Sequence, residues 1–67
     1  MDEEYLHAED VKEITGLTIA ALSQLRYRGM GPKFYKPTVR TVLYKRSEVI
    51  AWIEASAYIR TNVPAAL

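Results

Sequence analysis

Seven cations and no acid lie between Arg26 and Arg46: Arg26, Arg28, Lys33, Lys36, Arg40, Lys45 and Arg46. A one-signed run of this kind focuses field on a polyanion, and the chemistry it suits is phosphate neutralisation. A solvated face that happens to be basic is the alternative reading. Just ahead of the run stand Ser23 and Gln24. With the guanidinium of Arg26 they supply donors and acceptors that can pair with base edges: glutamine with adenine, arginine with guanine, serine with a base or a phosphate. Ile19 and Ala20 can meet a thymine methyl or serve local packing. Tyr27 can offer its hydroxyl to a phosphate or pack half-buried beside Pro32. The acids are elsewhere. Asp2, Glu3, Glu4, Glu9, Asp10 and Glu13 face a single Lys12, so the formal net charge of +1 conceals a strong segregation.

Other chemistries lack their residues. The chain has no cysteine and one histidine, which leaves neither a thiolate nor a histidine metal cluster. His7 lies near Glu9 and Asp10 but has no nucleophile beside it, so no catalytic residues, no enzyme activity and no cofactor are expected. No apolar run approaches the roughly 20 residues of a membrane span. The acidic start Met1-Asp2-Glu3-Glu4 is unlike a signal peptide. A cytoplasmic chain with no membrane partner is expected.

The 67 residues leave room for one small core. Tyr5 and Leu6 are the apolar members of a short lead-in and should pin it down. Acidic residues in a first turn and apolar Ala8, Val11 and Ile14 predict a helix over 8–14, with His7 or a neighbour at its cap. Gly16 stops it. Thr18 is an N-cap candidate for a second helix over 19–28, with Leu22 and Leu25 inward and Leu17 poised as a staple against Leu22. Ile19, Ala20, Ser23, Gln24, Arg26 and Tyr27 then face outward. Gly29-Met30-Gly31-Pro32 breaks the helix. Phe34-Tyr35 and Val42-Leu43-Tyr44 are β-prone and flank the connector Lys36-Pro37-Thr38-Val39-Arg40-Thr41, which predicts a hairpin with Pro37 at its loop or on an edge. Ser47 is the expected cap of a third helix, with Val49, Ile50, Trp52, Ile53 and Ala57 on a broad apolar face. Trp52 is expected in the core against the first helix and the hairpin. The helix should fray near Arg60-Thr61. The expected domain is 1–61, with 62–67 a loose tail.

In this order the features resemble the excisionase and AlpA-like small regulators, whose domain is a winged helix-turn-helix of the MerR type. The resemblance runs from Leu6 to Ile59. It is carried by Glu9-Asp10-Val11 with Ile14, by Gly16-Leu17-Thr18, and by Leu22 to Gly29 as recognition helix and stop. Gly31-Pro32 with Phe34, Arg40 and Leu43-Tyr44 match the wing. Arg46-Ser47-Glu48-Val49 with Ala51-Trp52-Ile53 match the helix that closes it. The tip, Pro37-Thr38-Val39-Arg40-Thr41, departs from the family by lacking glycines, and Leu43 stands where a basic residue is frequent.

The resemblance implies a mainly helical α+β fold with a two-stranded wing between the second and third helices, and sequence-specific binding of double-stranded DNA. Thr18, Ile19, Ala20, Ser23, Gln24, Arg26, Tyr27 and Arg28 fall on the implied recognition helix. Lys33, Lys36, Thr38, Arg40, Lys45 and Arg46 fall on the wing and its backbone contacts, with Arg40 able to enter a narrow minor groove. The implied role is an excisionase that bends attachment-site DNA and directs an integrase toward excision. A small transcriptional regulator of a phage or mobile element, or a protein-interaction module on the same fold, are the alternatives. One such module makes a small interface, so several copies on adjacent sites are expected.

Overall fold

The computed structural model describes residues 4–61 and 63–64. Gly16 closes the first helix in the left-handed region at φ 80°, and its N–H returns to the Lys12 carbonyl at 2.8 Å. A glycine takes that conformation without a Cβ penalty, which is why the chain turns here. Two residues later the Thr18 side chain accepts the Ala21 N–H at 3.0 Å and starts the second helix. The elements are β1 (Tyr5–Leu6), α1 (Ala8–Thr15), α2 (Ile19–Tyr27), β2 (Tyr35–Thr38), β3 (Thr41–Lys45), α3 (Arg46–Ala55), β4 (Tyr58–Arg60) and β5 (Val63–Pro64). Three helices with a β-hairpin between the second and third give the winged helix-turn-helix topology expected from the sequence.

The hairpin is not alone. β1 pairs antiparallel with β3, Leu6 opposite Tyr44, and makes a three-stranded sheet of order β1-β3-β2. The lead-in is thus fixed by backbone pairing as well as by the burial of Leu6. Pro37 lies on the edge strand β2, where its missing N–H costs no internal ladder bond. The register shifts between Tyr35 and Thr38, around Lys36-Pro37.

The core takes one side chain from each of five elements: Leu6 from β1, Val11 from α1, Leu22 from α2, Tyr44 from β3 and Val49 from α3. Ala8, Ile14, Leu17, Phe34, Val42 and Ile53 pack against it. Trp52 does not hold the place expected of it. It is half-buried, and the largest fully buried side chain is Tyr44. Val49 and Ile53, four residues apart, form the inward stripe of α3, and Trp52 flanks that stripe. Ile50 and Ala57, also expected on the inward face, are exposed.

Both ends of α3 differ from expectation. β3 runs straight into the helix, so Lys45 is the N-cap and Ser47 lies inside the first turn. At the other end the helix stops at Ala55, where Ser56 returns its N–H and its hydroxyl to the Ile53 carbonyl at 3.0 and 2.6 Å. Such local bonds compete with helical continuation. Tyr58–Arg60 then pairs with Val63–Pro64 in a second hairpin where fraying helix and tail were expected. Asn62 and residues 65–67 lie outside the described residues.

Candidate nucleic-acid interface

α2 is anchored on one side by buried Leu22 and by Leu25, so residues at other angles around it face outward. Leu25 is held close. A Cβ on Gly31, which sits at φ 83°, would stand 3.0 Å from the Leu25 Cβ. The exposed residues of α2 are Ile19, Ala20, Ser23, Gln24 and Tyr27, followed by exposed Arg28. Tyr27 is 89% exposed and does not pack beside Pro32, which is itself buried. Its hydroxyl is therefore open to a ligand. Thr18, at the start of the same helix, has its side-chain oxygen engaged by the cap.

Arg26 departs from the outward position expected of it. It is half-buried, and its Nη1 donates to the Tyr44 hydroxyl at 2.7 Å. Its guanidinium carbon lies 5.8 Å from the centroid of Phe34, whose ring is itself 6.5 Å from that of Tyr44. Arg26 thus ties the helix to the hairpin. Between these elements runs a groove of about 290 Å³ lined by Ser23, Arg26, Tyr27, Phe34, Lys36 and Val42. Lys36 contributes an exposed ammonium on its hairpin side.

At the hairpin tip, Thr38 is paired with Thr41, and Val39-Arg40 is the turn between them. Arg40 is exposed and lines a hollow with His7, Ala8, Glu9, Thr41 and Val42, beside the start of α1. That start is already occupied by an anion, since the His7 N–H donates to Asp10 Oδ2 at 3.0 Å.

The remaining cations of the basic run are drawn elsewhere. Alternation along β3 puts Lys45 on the sheet face opposite buried Tyr44. There its Nζ lies 5.9 Å from the Tyr5 ring and 5.6 Å from the Tyr35 ring, and the two rings meet edge to face at 5.9 Å. Tyr35 donates its hydroxyl to both oxygens of Glu48, at 2.9 and 3.0 Å. That bond is the main cause of a phenol pKa raised above its ordinary value. Lys33 Nζ is 3.7 Å from Glu48, and Arg46 Nη2 is 3.9 Å from Glu4. The run that reads as one basic block is therefore divided. Lys36 joins Ser23 and Tyr27 at the groove, Arg28 lies past the end of α2 and Arg40 at the tip, while Lys33, Lys45 and Arg46 sit among acids and tyrosines. Separation along the chain concealed those acids: Glu4 and Glu48 lie outside the run but fold back beside it.

No protein-family model, no curated protein and no solved structure matches the chain. The fold, a small three-helix domain with a short hairpin wing, is consistent with a DNA-binding protein. Among the described residues, no helix is long and apolar enough to cross a membrane, and no group of three or more His, Asp or Glu side chains is placed to hold a metal ion.

Proposed function

We propose that this chain is a sequence-specific double-stranded DNA-binding module that acts by binding, without a reaction of its own. The observation that carries the reading is the outward face of α2. Ala20, Ser23 and Gln24 are exposed on a helix held by Leu22, with the Lys36-bearing hairpin across the groove. A helix of this width enters a major groove, where Gln24 pairs with an adenine edge and Ser23 with a base or phosphate. Arg28, Lys36 and Arg40 neutralise flanking phosphates.

The finer role rests on the resemblance of the sequence to excisionases. It is to bend attachment-site DNA in several adjacent copies and direct an integrase toward excision. Selection of bound duplexes from a random-sequence library, followed by footprinting on the element that carries the gene, tests both levels. An arrayed footprint in an attachment region supports the excisionase role. A footprint confined to a promoter replaces it with transcriptional regulation. Failure to enrich any sequence overturns the DNA-reading proposal.

A further inference from the structure

The tip of the β2–β3 hairpin carries an apolar side chain that the core does not use. Val39 is 86% exposed. It belongs to a two-residue turn, where Asn, Asp and Gly are the usual occupants and a β-branched residue is not. Neither Val39 nor Arg40 has a positive φ, so the turn is closed without a glycine. The support beneath it is ordered. Thr38 Oγ1 donates to Thr41 Oγ1 at 2.8 Å, the Arg40 N–H donates to Thr38 Oγ1 at 3.3 Å, and Pro37 restricts the backbone just before. An isopropyl group is thus held into solvent on a braced tip, next to an exposed guanidinium.

We propose that Val39 is an apolar wedge that enters the minor groove and pries at a flexible base step, while Arg40 beside it supplies the charge. The inference rests on the DNA-binding reading above and adds a second kind of readout to it. A minor groove about 6 Å wide excludes a helix but admits the end of a tight turn. An apolar group pushed against a base step partly unstacks it and kinks the duplex toward the major groove. Val39 has no donor or acceptor, so it reads no hydrogen-bond pattern. It selects the step that opens at least cost, which is a pyrimidine–purine step such as TA or CA. Gln24 and Val39 therefore read different properties of one site. The single apolar side chain at the tip adds deformability to the code and a bend to the product.

The test uses the full chain with Val39→Ser and Val39→Leu, on duplexes selected by the wild-type protein. In each duplex the step beneath the tip is TA or is replaced by a stiff AA step, and bending is read by fluorescence transfer between end labels. The wild-type chain is expected to prefer the TA duplex by about tenfold, within the range of a single altered base pair. Val39→Ser is expected to lose that preference and most of the bend, keeping its dependence on the Gln24 contact. Val39→Leu is expected to keep both. If Val39→Ser bends DNA and prefers TA as the wild type does, the wedge is overturned and the DNA-binding reading stands. If Val39→Ser weakens both duplexes equally, the wedge is also overturned. A wild-type chain that binds no duplex overturns both inferences together.

Discussion

The guanidinium of Arg26 donates to the hydroxyl of Tyr44 at 2.7 Å, joining the last turn of α2 to strand β3 of the wing across eighteen residues of chain. The bond makes Arg26 a positioning residue. A hydrogen bond to a charged group contributes about 1.5–3 kcal/mol, and Tyr44→Phe should cost an amount in that range because it leaves a half-buried charge without its acceptor. In DNA binding, Arg26→Ala should weaken selected and scrambled duplexes together by loosening the helix–wing angle. Gln24→Ala should weaken the selected duplex far more than the scrambled one. Thermal melts and paired titrations separate these effects. A loss confined to one base position in Arg26→Ala would restore it as a base reader.

Tyr44→Ala should be far more damaging than Trp52→Ala. Removing a buried large aromatic costs about 3–5 kcal/mol, much of what a domain this size has, so Tyr44→Ala is expected to unfold the chain. Trp52 is only half-buried, and about half that cost is expected. Urea denaturation of both variants checks the order. A larger loss at Trp52 would place it, and not Tyr44, at the centre of the core.

The helix-turn-helix was legible because its punctuation is local. Gly16 and Thr18 act within a few residues of where they stand, and α1 and α2 begin and end within one residue of the pattern they set. Trp52 is the largest apolar side chain in the sequence, yet inward direction is set by register, and the pairing of Leu6 with Tyr44 is a contact between distant segments. The candidate site was half legible for the same reason. Gln24 and Ser23 follow from helical angle relative to Leu22. The diversion of Arg26 to Tyr44, and of Lys33 and Arg46 to Glu48 and Glu4, depends on tertiary approach that spacing does not encode. Val39 carried one signal that could have been read from sequence, a β-branched residue at a turn.

The Tyr35–Glu48 bond fixes an alkaline limb of stability. The phenol must keep its proton to donate to the carboxylate, and its pKa in the folded chain is raised, first by that bond. Below the ordinary tyrosine value of about 10 the contribution is whole. Above it the unfolded chain loses its proton first, and the contribution falls until the pH passes the folded value. Wild type should therefore exceed Tyr35→Phe in stability near neutral pH, with the gap closing as pH rises beyond about 10. Urea midpoints of both proteins across that range give the answer. A gap that stays constant would mean that the bond does not hold Tyr35.

The salt dependence of DNA binding should reflect the division of the basic run and not its total. Lys33, Lys45 and Arg46 sit among Glu48, the tyrosine rings and Glu4, and Arg26 is tied to Tyr44. Lys36 lines the groove between α2 and the hairpin, Arg28 is exposed just past the end of α2, and Arg40 is exposed at the hairpin tip. Each phosphate neutralised on a duplex adds about −0.9 to the slope of log affinity against log salt. Three contacts give a slope near −2.7, or a fall of roughly 40-fold when salt is raised fourfold; seven would give a fall of several thousandfold. The two cases are separated by a titration on one duplex. Lys33→Ala should leave the slope as it is, because that ammonium lies beside Glu48. Arg40→Ala should flatten it by about one unit, reducing the fourfold-salt effect to roughly 12-fold. A slope near −6 in the wild type, with Lys33→Ala and Arg40→Ala flattening it equally, would show that all seven cations reach the duplex and that the ion pairs to Glu4 and Glu48 open on binding.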